Sequence, residues 1–536
     1  MKKFAFLLAT LLGIWSMATM SVADTVTAMH PAAAPHPDNV FTRMFPDLSP
    51  FSQQTNDARK AVQLLAAQGG LLDAHDQLTD PVASITDPGP VNRDNPSMTA
   101  GMTFLGQFLD HDITFDKRSA LNANVDPLRT INFRTAAFDL DSVYGDGPQR
   151  SPQLYDTSSG RIKFRLQAIP GSETVSRHNA VRFDVPRDGA ANAIVAESRN
   201  DENCVISQMQ VAFLSFHNAV TDWLAAQPAY QGASADRIFR DARRLVTWHY
   251  QWIILHEFLP KTIGPTLLAR ILRDGPQFYH PEAAVNRFQA ADGQSMPRIP
   301  IEFAAAAYRF GHSQVRPSYR LNFSATGGTP LFLFIFDDSQ DPAAADPGDL
   351  RGGKRAPRRF IDWETFFDFG DGNVRNNKLI DTHLSTPLMA LPGSRGPSPG
   401  LPSDGLQSLP ARSLTRAVNF GIPSGQAIAR KLRVPVLTPA QLHELAPYAL
   451  DSRTTMDTST PLFYYVLKEA EVMASGQRLG PVGGDIVGEV FVGLLREDSG
   501  AYLRAQPGWR PTLPSSTPGD FRMTDLLKFA GVVPPL

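Results

Sequence analysis

The segment Gly106-Gln-Phe-Leu-Asp-His-Asp112 constrains this chain more than any other. It closes an apolar run, Met102-Thr-Phe-Leu105, with three consecutive acid–base side chains. A helix through this run turns successive residues about 100° apart. Asp110, His111 and Asp112 then face three directions, and Gln107 shares the face of His111 one turn away. A lone histidine in an apolar helix is ordinarily a hydrogen-bonded core residue. A buried Asp-His-Asp asks for more, because buried charges must be paired or bind a metal. The triplet therefore requires several separate partners.

The N-terminus reads as a leader rather than as part of the fold. Lys2-Lys3 form a positive start, Phe4 to Ala18 an apolar stretch, and Ser21-Val22-Ala23 a small-residue cleavage site. That run is too short for a typical membrane span, so residues 1–23 are expected to be a signal peptide and the protein secreted or periplasmic. No later segment is apolar enough to cross a bilayer. The remaining roughly 510 residues exceed one simple core and imply multi-lobed packing. A net charge of -2 offers no electrostatic case for nucleic acid or acidic membranes. Cys204 is the only cysteine, which excludes an intrachain disulfide, a cysteine zinc site and CxxCH haem attachment.

Residues 24–56, rich in Pro, His and Asp, read as an extended arm. Helical periodicity appears at 57–68, 96–109, 201–226, 234–272, 301–315, 462–474, 484–496 and 523–529. Residues 160–166 look strand-like, and the Gly- and Pro-rich stretches 324–356 and 391–411 look like surface loops. The expected class is mainly α, multi-helical, with little β-structure.

Four clusters carry the chemistry. The first is Gln107, Asp110, His111 and Asp112. The second is Arg134-Thr-Ala-Ala-Phe-Asp-Leu-Asp-Ser-Val-Tyr144. There Thr135, Asp139 and Asp141 supply hard oxygens at a spacing that suits Ca²⁺ or, equally, a side-chain-capped turn. It is not an EF-hand, lacking the glycine and terminal glutamate. The third is Glu197-Ser-Arg-Asn-Asp-Glu-Asn203. Arg199 and Glu202 share a helix face if the helix starts early; otherwise Asn200 or Asp201 is an N-cap. The fourth is Ala307-Tyr-Arg-Phe-Gly-His-Ser313, where Gly311 leaves room beside His312 and Arg309 sits one turn away. His217, His249 and His256, inside long helical runs, are assigned to packing, and Cys204 to the core.

In this order the four clusters resemble the animal-type haem peroxidases of the peroxidase–cyclooxygenase superfamily, in a bacterial secreted form. Trp248-His-Tyr-Gln-Trp252 and Gly480-Pro-Val-Gly-Gly484 fit the same pattern. The resemblance runs from about residue 40 to about 530 and implies a catalytic domain over 57–536. It makes His111 the distal histidine, Gln107 its neighbour, Arg199 the distal arginine and His312 the proximal iron ligand of haem b. Asp110 and Glu202 match carboxylates able to form esters with haem methyls, and Arg309 and Arg416 the partners of its propionates. Asp112, Thr135, the Ala137 carbonyl, Asp139 and Asp141 match a calcium shell.

Two departures stand out. Ser413 replaces the asparagine that usually bonds the proximal histidine. Asn203 replaces a methionine that forms a further haem link in some members, so bromide, iodide or thiocyanate is expected ahead of chloride. The implied activity is reduction of hydrogen peroxide at the cost of small anionic or phenolic reductants. The alternatives are a fatty-acid dioxygenase, which needs a tyrosine where Arg309 stands, and a non-catalytic calcium-binding module.

Overall fold

A computed structural model describes residues 36–86, 89–290, 293–392 and 406–533; residues 1–23 lie outside this set. The chain is mainly α, 44% helix against 9% strand. Strand content is confined, among the described residues, to short two-stranded antiparallel ribbons such as Asp94–Thr99 with Asn376–Lys378 and Ser318–Asn322 with Leu331–Phe334. Residues 36–56 run along the body as extended chain, joined to it by single bridges such as Val40↔Ile131 and Thr42↔Pro300. Phe41, Phe45 and Phe51 bury their rings, so the arm is part of the core.

At the centre lies the helix Ala100–Ile113, buried along its whole length except at Gly106 and Gln107. It packs against the helix Cys204–Ala225, the strand Asn376–Lys378 and the short helix Gly311–Gln314. The close approach needs Gly101, where a Cβ would come within 2.5 Å of the Phe367 ring. Ala235–Ile253 covers the other side of Cys204–Ala225. A second group of helices, Leu462–Ala474 and Pro481–Glu497, closes the far side. No helix among the described residues is long and apolar enough to cross a membrane.

Several elements differ from the sequence-based expectation. Residues 94–99 are a strand, and the helix begins only at Ala100 and runs on to Ile113. Residues 160–166 form no strand; Phe164 makes one bridge to Tyr155, because Gly160 and Arg161 turn the chain at positive φ. The run 234–272 is broken into Ala235–Ile253, a π-turn Ile254–Phe258, Leu259–Ile263 and Pro265–Asp274. Pro260 and Pro265 lack the N–H that a continuous helix would use. The run 301–315 breaks at Ala306 (φ -136, ψ -72) into Ile301–Ala305, a 3₁₀ turn Ala307–Phe310 and Gly311–Gln314. The expected loops hold a strand at Leu331–Phe334 and the start of the helix Leu409–Asn419.

The Pro481–Glu497 helix has no cap of its own. Its first N–H groups are met by the buried Glu469 carboxylate, which accepts from Val482 N at 2.9 Å and Gly483 N at 3.2 Å. Gly480 makes this possible, since a Cβ there would lie 2.4 Å from Glu469 Cγ. Glu469→Ala should lower folding stability by about 2–3 kcal/mol by orphaning buried donors, with a smaller loss for Glu469→Gln. Chemical denaturation of both variants measures this; an unchanged midpoint for the alanine variant would remove Glu469 as the cap.

Candidate active site

A cavity of about 740 Å³ opens beside the Ala100–Ile113 helix. Gln107, Asp110, His111, Arg199, Glu202, Arg309, His312 and Arg416 all line it. The helix supplies the first three at its C-terminal end, and the triplet turns in three directions as its periodicity demands. Asp110 and His111 face the cavity, while Asp112 points away into protein.

His111 is buried, and its Nδ1 lies 2.8 Å from Asn200 Oδ1. Asn200 in turn donates through Nδ2 to Gln210 Oε1 at 2.8 Å. An amide oxygen only accepts, so this network assigns the proton to Nδ1 and leaves the Nε2 lone pair free. Burial first, and then the Arg199 charge, pull the His111 pKa down to about 4. The ring is a neutral base at ordinary pH. Glu202 Oε2 lies 3.9 Å from its Nε2 and accepts from Gln107 Nε2 at 3.1 Å.

Arg199 sits on a 3₁₀ turn, Ser198–Asp201, whose N-cap is Glu197. The long helix starts only at Cys204, capped by Asn203, so neither Asn200 nor Asp201 is its cap. Arg199 reaches the cavity from a turn, held by Glu197 at 3.1 Å, Thr114 O at 2.6 Å and the Phe115 ring at 4.1 Å. Burial opposes ionisation of Glu197, but Arg199 and Arg134 outweigh it and bring its pKa to about 2. Burial likewise opposes Asp110, yet Arg309 and Arg199, at 3.7 and 3.8 Å, hold it below the usual carboxylate range. Glu202 goes the other way: burial raises it to about 7 despite Arg199.

His312 lies just past the break at Ala306, and open space surrounds the position of a Cβ on Gly311. Burial, then the Arg309 charge, lower its pKa to about 3, and its buried Nδ1 makes no hydrogen bond with the described residues. Ser413 does not supply one: its hydroxyl donates to Leu409 O at 3.3 Å, and the residue does not line the cavity. The next residue fastens the turn instead. Ser313 Oγ donates to Asp381 O at 2.7 Å and accepts from Asp381 N at 2.9 Å.

Behind His111, carboxylate oxygens of Asp112, Asp139 and Asp141 lie within 4.8 Å of one another, all buried. Thr135 Oγ1 donates to Asp139 Oδ1 at 2.9 Å, and Thr135 N to Asp141 Oδ2 at 3.1 Å. Ala137 is buried in the same loop. Burial and mutual repulsion push Asp112 well above the carboxylate range, and burial raises Asp141 to about 7 although Arg134 opposes it. Three buried carboxylates beside one guanidinium form a donor set suited to a hard cation.

Asn200, Glu197 and Arg412, which also lines the cavity, were not assigned these places from sequence. The Asn200–His111 contact spans 89 positions, and the only local sign was that Asn200 adjoins Arg199.

Residues 116–330 match the family model described as Animal haem peroxidase. Thyroid peroxidase of Homo sapiens is 25% identical over 212 residues, 37% of this chain and 21% of that protein, so the chain spans about a fifth of this curated relative's length. Peroxidase A from Dictyostelium discoideum shares the fold with a TM-score of 0.55 at 17% identity, over 88% of this chain and 92% of that one. A fatty acid alpha-dioxygenase of Oryza sativa also shares it, at TM-score 0.55 and 13% identity, over 87% and 76% of the two chains. Residues 116–330 are thus similar in sequence to the animal haem peroxidases, and the chain as a whole shares its fold with a peroxidase and a fatty acid alpha-dioxygenase.

Proposed function

We propose that this chain is a haem-dependent peroxidase that uses hydrogen peroxide to oxidise halides, thiocyanate or small organic donors. One observation carries the reading: a single cavity lined by a neutral histidine with a free Nε2, a buried arginine, and a second buried histidine. The lining fits haem. His312 offers an imidazole to iron beside the open space at Gly311, and Arg309 and Arg416 offer guanidiniums to propionates. We assign the ester links to the carboxylates of Asp110 and Glu202, which line the same cavity. When bound, haem supplies an iron centre that accepts peroxide and two oxidising equivalents.

The protein's part is proton handling and charge. His111 Nε2 takes the first proton of peroxide as general base and returns it to the departing oxygen as that oxygen becomes water. Asn200 keeps Nδ1 protonated and so keeps Nε2 as the base. Arg199, already aligned by Glu197, stabilises the negative charge that develops as the O–O bond lengthens. The dioxygenase alternative is less well supported. Arg309 stands three residues before His312, and the Tyr308 hydroxyl donates to Gly106 O at 3.1 Å. We further assign Ca²⁺ to Asp112, Asp139 and Asp141, with Thr135 and the Ala137 carbonyl completing its shell; this would hold the rotation of the His111 helix.

His111→Ala should slow the reaction with peroxide by about 10²–10⁴-fold. The wild-type rate should stay level as pH falls from neutrality and drop only as His111 protonates near its pKa of about 4. Stopped-flow rates against pH measure both, and a midpoint near the ordinary histidine value would refute the buried-base assignment. After peroxide treatment and denaturation in acidic organic solvent, haem should stay with the polypeptide and be released by Asp110→Ala plus Glu202→Ala; complete loss from wild type would exclude the esters. Adding Ca²⁺ to chelated protein should raise its melting temperature, and Asp139→Ala plus Asp141→Ala should abolish the rise. Equal melting with and without the ion would remove the calcium assignment.

A further inference from the structure

The cavity has a rim that the mechanism above does not use. Residues 190–195, 336–342 and the turn 352–354 form it. Ala191, Ala193, Val195 and Phe336 make its walls apolar. The turn is stapled to the segment that carries Glu202: Gly352 N donates to Glu202 O at 2.9 Å, and Gly353 N to Asp201 Oδ2 at 3.2 Å. A Cβ on Gly352 would fall 1.5 Å from Asp201 O, so only glycine allows this approach. Lys354 is thereby fixed at the rim.

The chain around Lys354 is densely basic, Arg351-Gly-Gly-Lys-Arg-Ala-Pro-Arg-Arg359. Its arginines are matched within the fold: Arg351 with Asp349 at 2.8 Å, Arg355 with Asp184 at 3.2 Å, Arg358 with Asp346 at 2.5 Å. Lys354 differs. Its Nζ donates to the Pro342 carbonyl at 2.8 Å and makes no ion pair with a carboxylate of the described residues. The nearby Asp341 and Asp349 carboxylates act on Lys354 through charge alone, beyond ion-pair contact. Asp116 accepts from the backbone of Arg118 and Ser119, and Asp338 has its own partner. An ammonium with no carboxylate of the described residues in ion-pair contact, beside apolar walls of the cavity that His111 also lines, calls for a ligand with an apolar body and an anionic end.

We propose that Lys354, with Val195 and Phe336, forms a reductant subsite that selects phenols bearing a carboxylate. The aromatic ring lies on the apolar wall, the carboxylate meets Lys354 Nζ, and the phenol points inward. This rests on the peroxidase reading for its chemistry. Each of two phenols gives up one electron and one proton to become a phenoxyl radical, and one hydrogen peroxide is reduced to two waters.

The test uses three phenols that share a head and differ in tail charge: p-hydroxyphenylpropionate, neutral p-cresol and cationic tyramine. Their binding to the haem-loaded resting protein is read from Soret difference spectra without peroxide, and their kcat/KM is read with peroxide. Wild type should favour the anionic phenol over tyramine. Lys354→Glu should cut that ratio by about ten-fold or more in both readouts, and Lys354→Arg should preserve it. An unchanged ratio in Lys354→Glu, or no preference in wild type, overturns the subsite. Absence of p-cresol oxidation by wild type would instead refute the peroxidase reading, and the binding ratios would still decide the role of Lys354.

Discussion

The Asp112 carboxylate ties two separate parts of the chain to the central helix. It accepts from Ser142 Oγ at 2.7 Å, from Leu140 N at 3.2 Å and from the Tyr250 hydroxyl at 3.1 Å. The 139–144 turn and the Ala235–Ile253 helix are thus locked to the last turn of Ala100–Ile113. Asp112 is fully buried, and a helix cannot rotate one side chain without carrying its neighbours through the same angle. Fixing Asp112 therefore fixes where His111 and Asp110 point. Side chains one position apart serve a rigid scaffold and a reactive cavity.

The cavity's electrostatics follow from how guanidiniums are shared among buried acids. Glu197 lies between Arg134, at 3.0 Å, and Arg199, so it stays ionised and holds Arg199 in line. Asp110 is kept anionic by two arginines at a longer range. Glu202 has weaker compensation, and burial leaves it with a pKa near neutrality, about 7. Within one site Glu197 and Asp110 thereby stay ionised while Glu202 titrates near neutrality, through their surroundings alone. The same burial that raises Glu202 lowers His111, which gives the site an unprotonated base beside a cation.

Irregular backbone accompanies the cavity. The π-turn at Ile254–Phe258 places Phe258 on its wall, and the break at Ala306 precedes the turn that bears His312. Continuous helices through either place would carry these side chains round at a regular angle per residue. An extra residue per turn, or a 3₁₀ segment, re-aims them locally without moving the packed elements on either side. Short helical pieces are harder to hold than long ones, and here tertiary bonds do the holding. Ser313 bonds both ways with Asp381, and Arg316 donates to Asn92 and to the carbonyls of Asn376 and Asn377.

Local sequence determined what depends on neighbours a few residues apart. The fold class, the helices Leu462–Ala474 and Met523–Phe529, and the three-way divergence of Asp110, His111 and Asp112 follow from periodicity. The grouping of His111, Arg199, Glu202 and His312 was legible through the resemblance of their motifs, and the cavity brings these residues together. Tertiary structure alone decided the rest. It paired Asn200 with His111, and it kept Ser413 from bonding His312. It broke two expected helices and carried Lys354 to the rim. Each of these turns on contacts between residues tens to hundreds of positions apart, and the spacing of side chains along one element carries no record of what another element will bring against it.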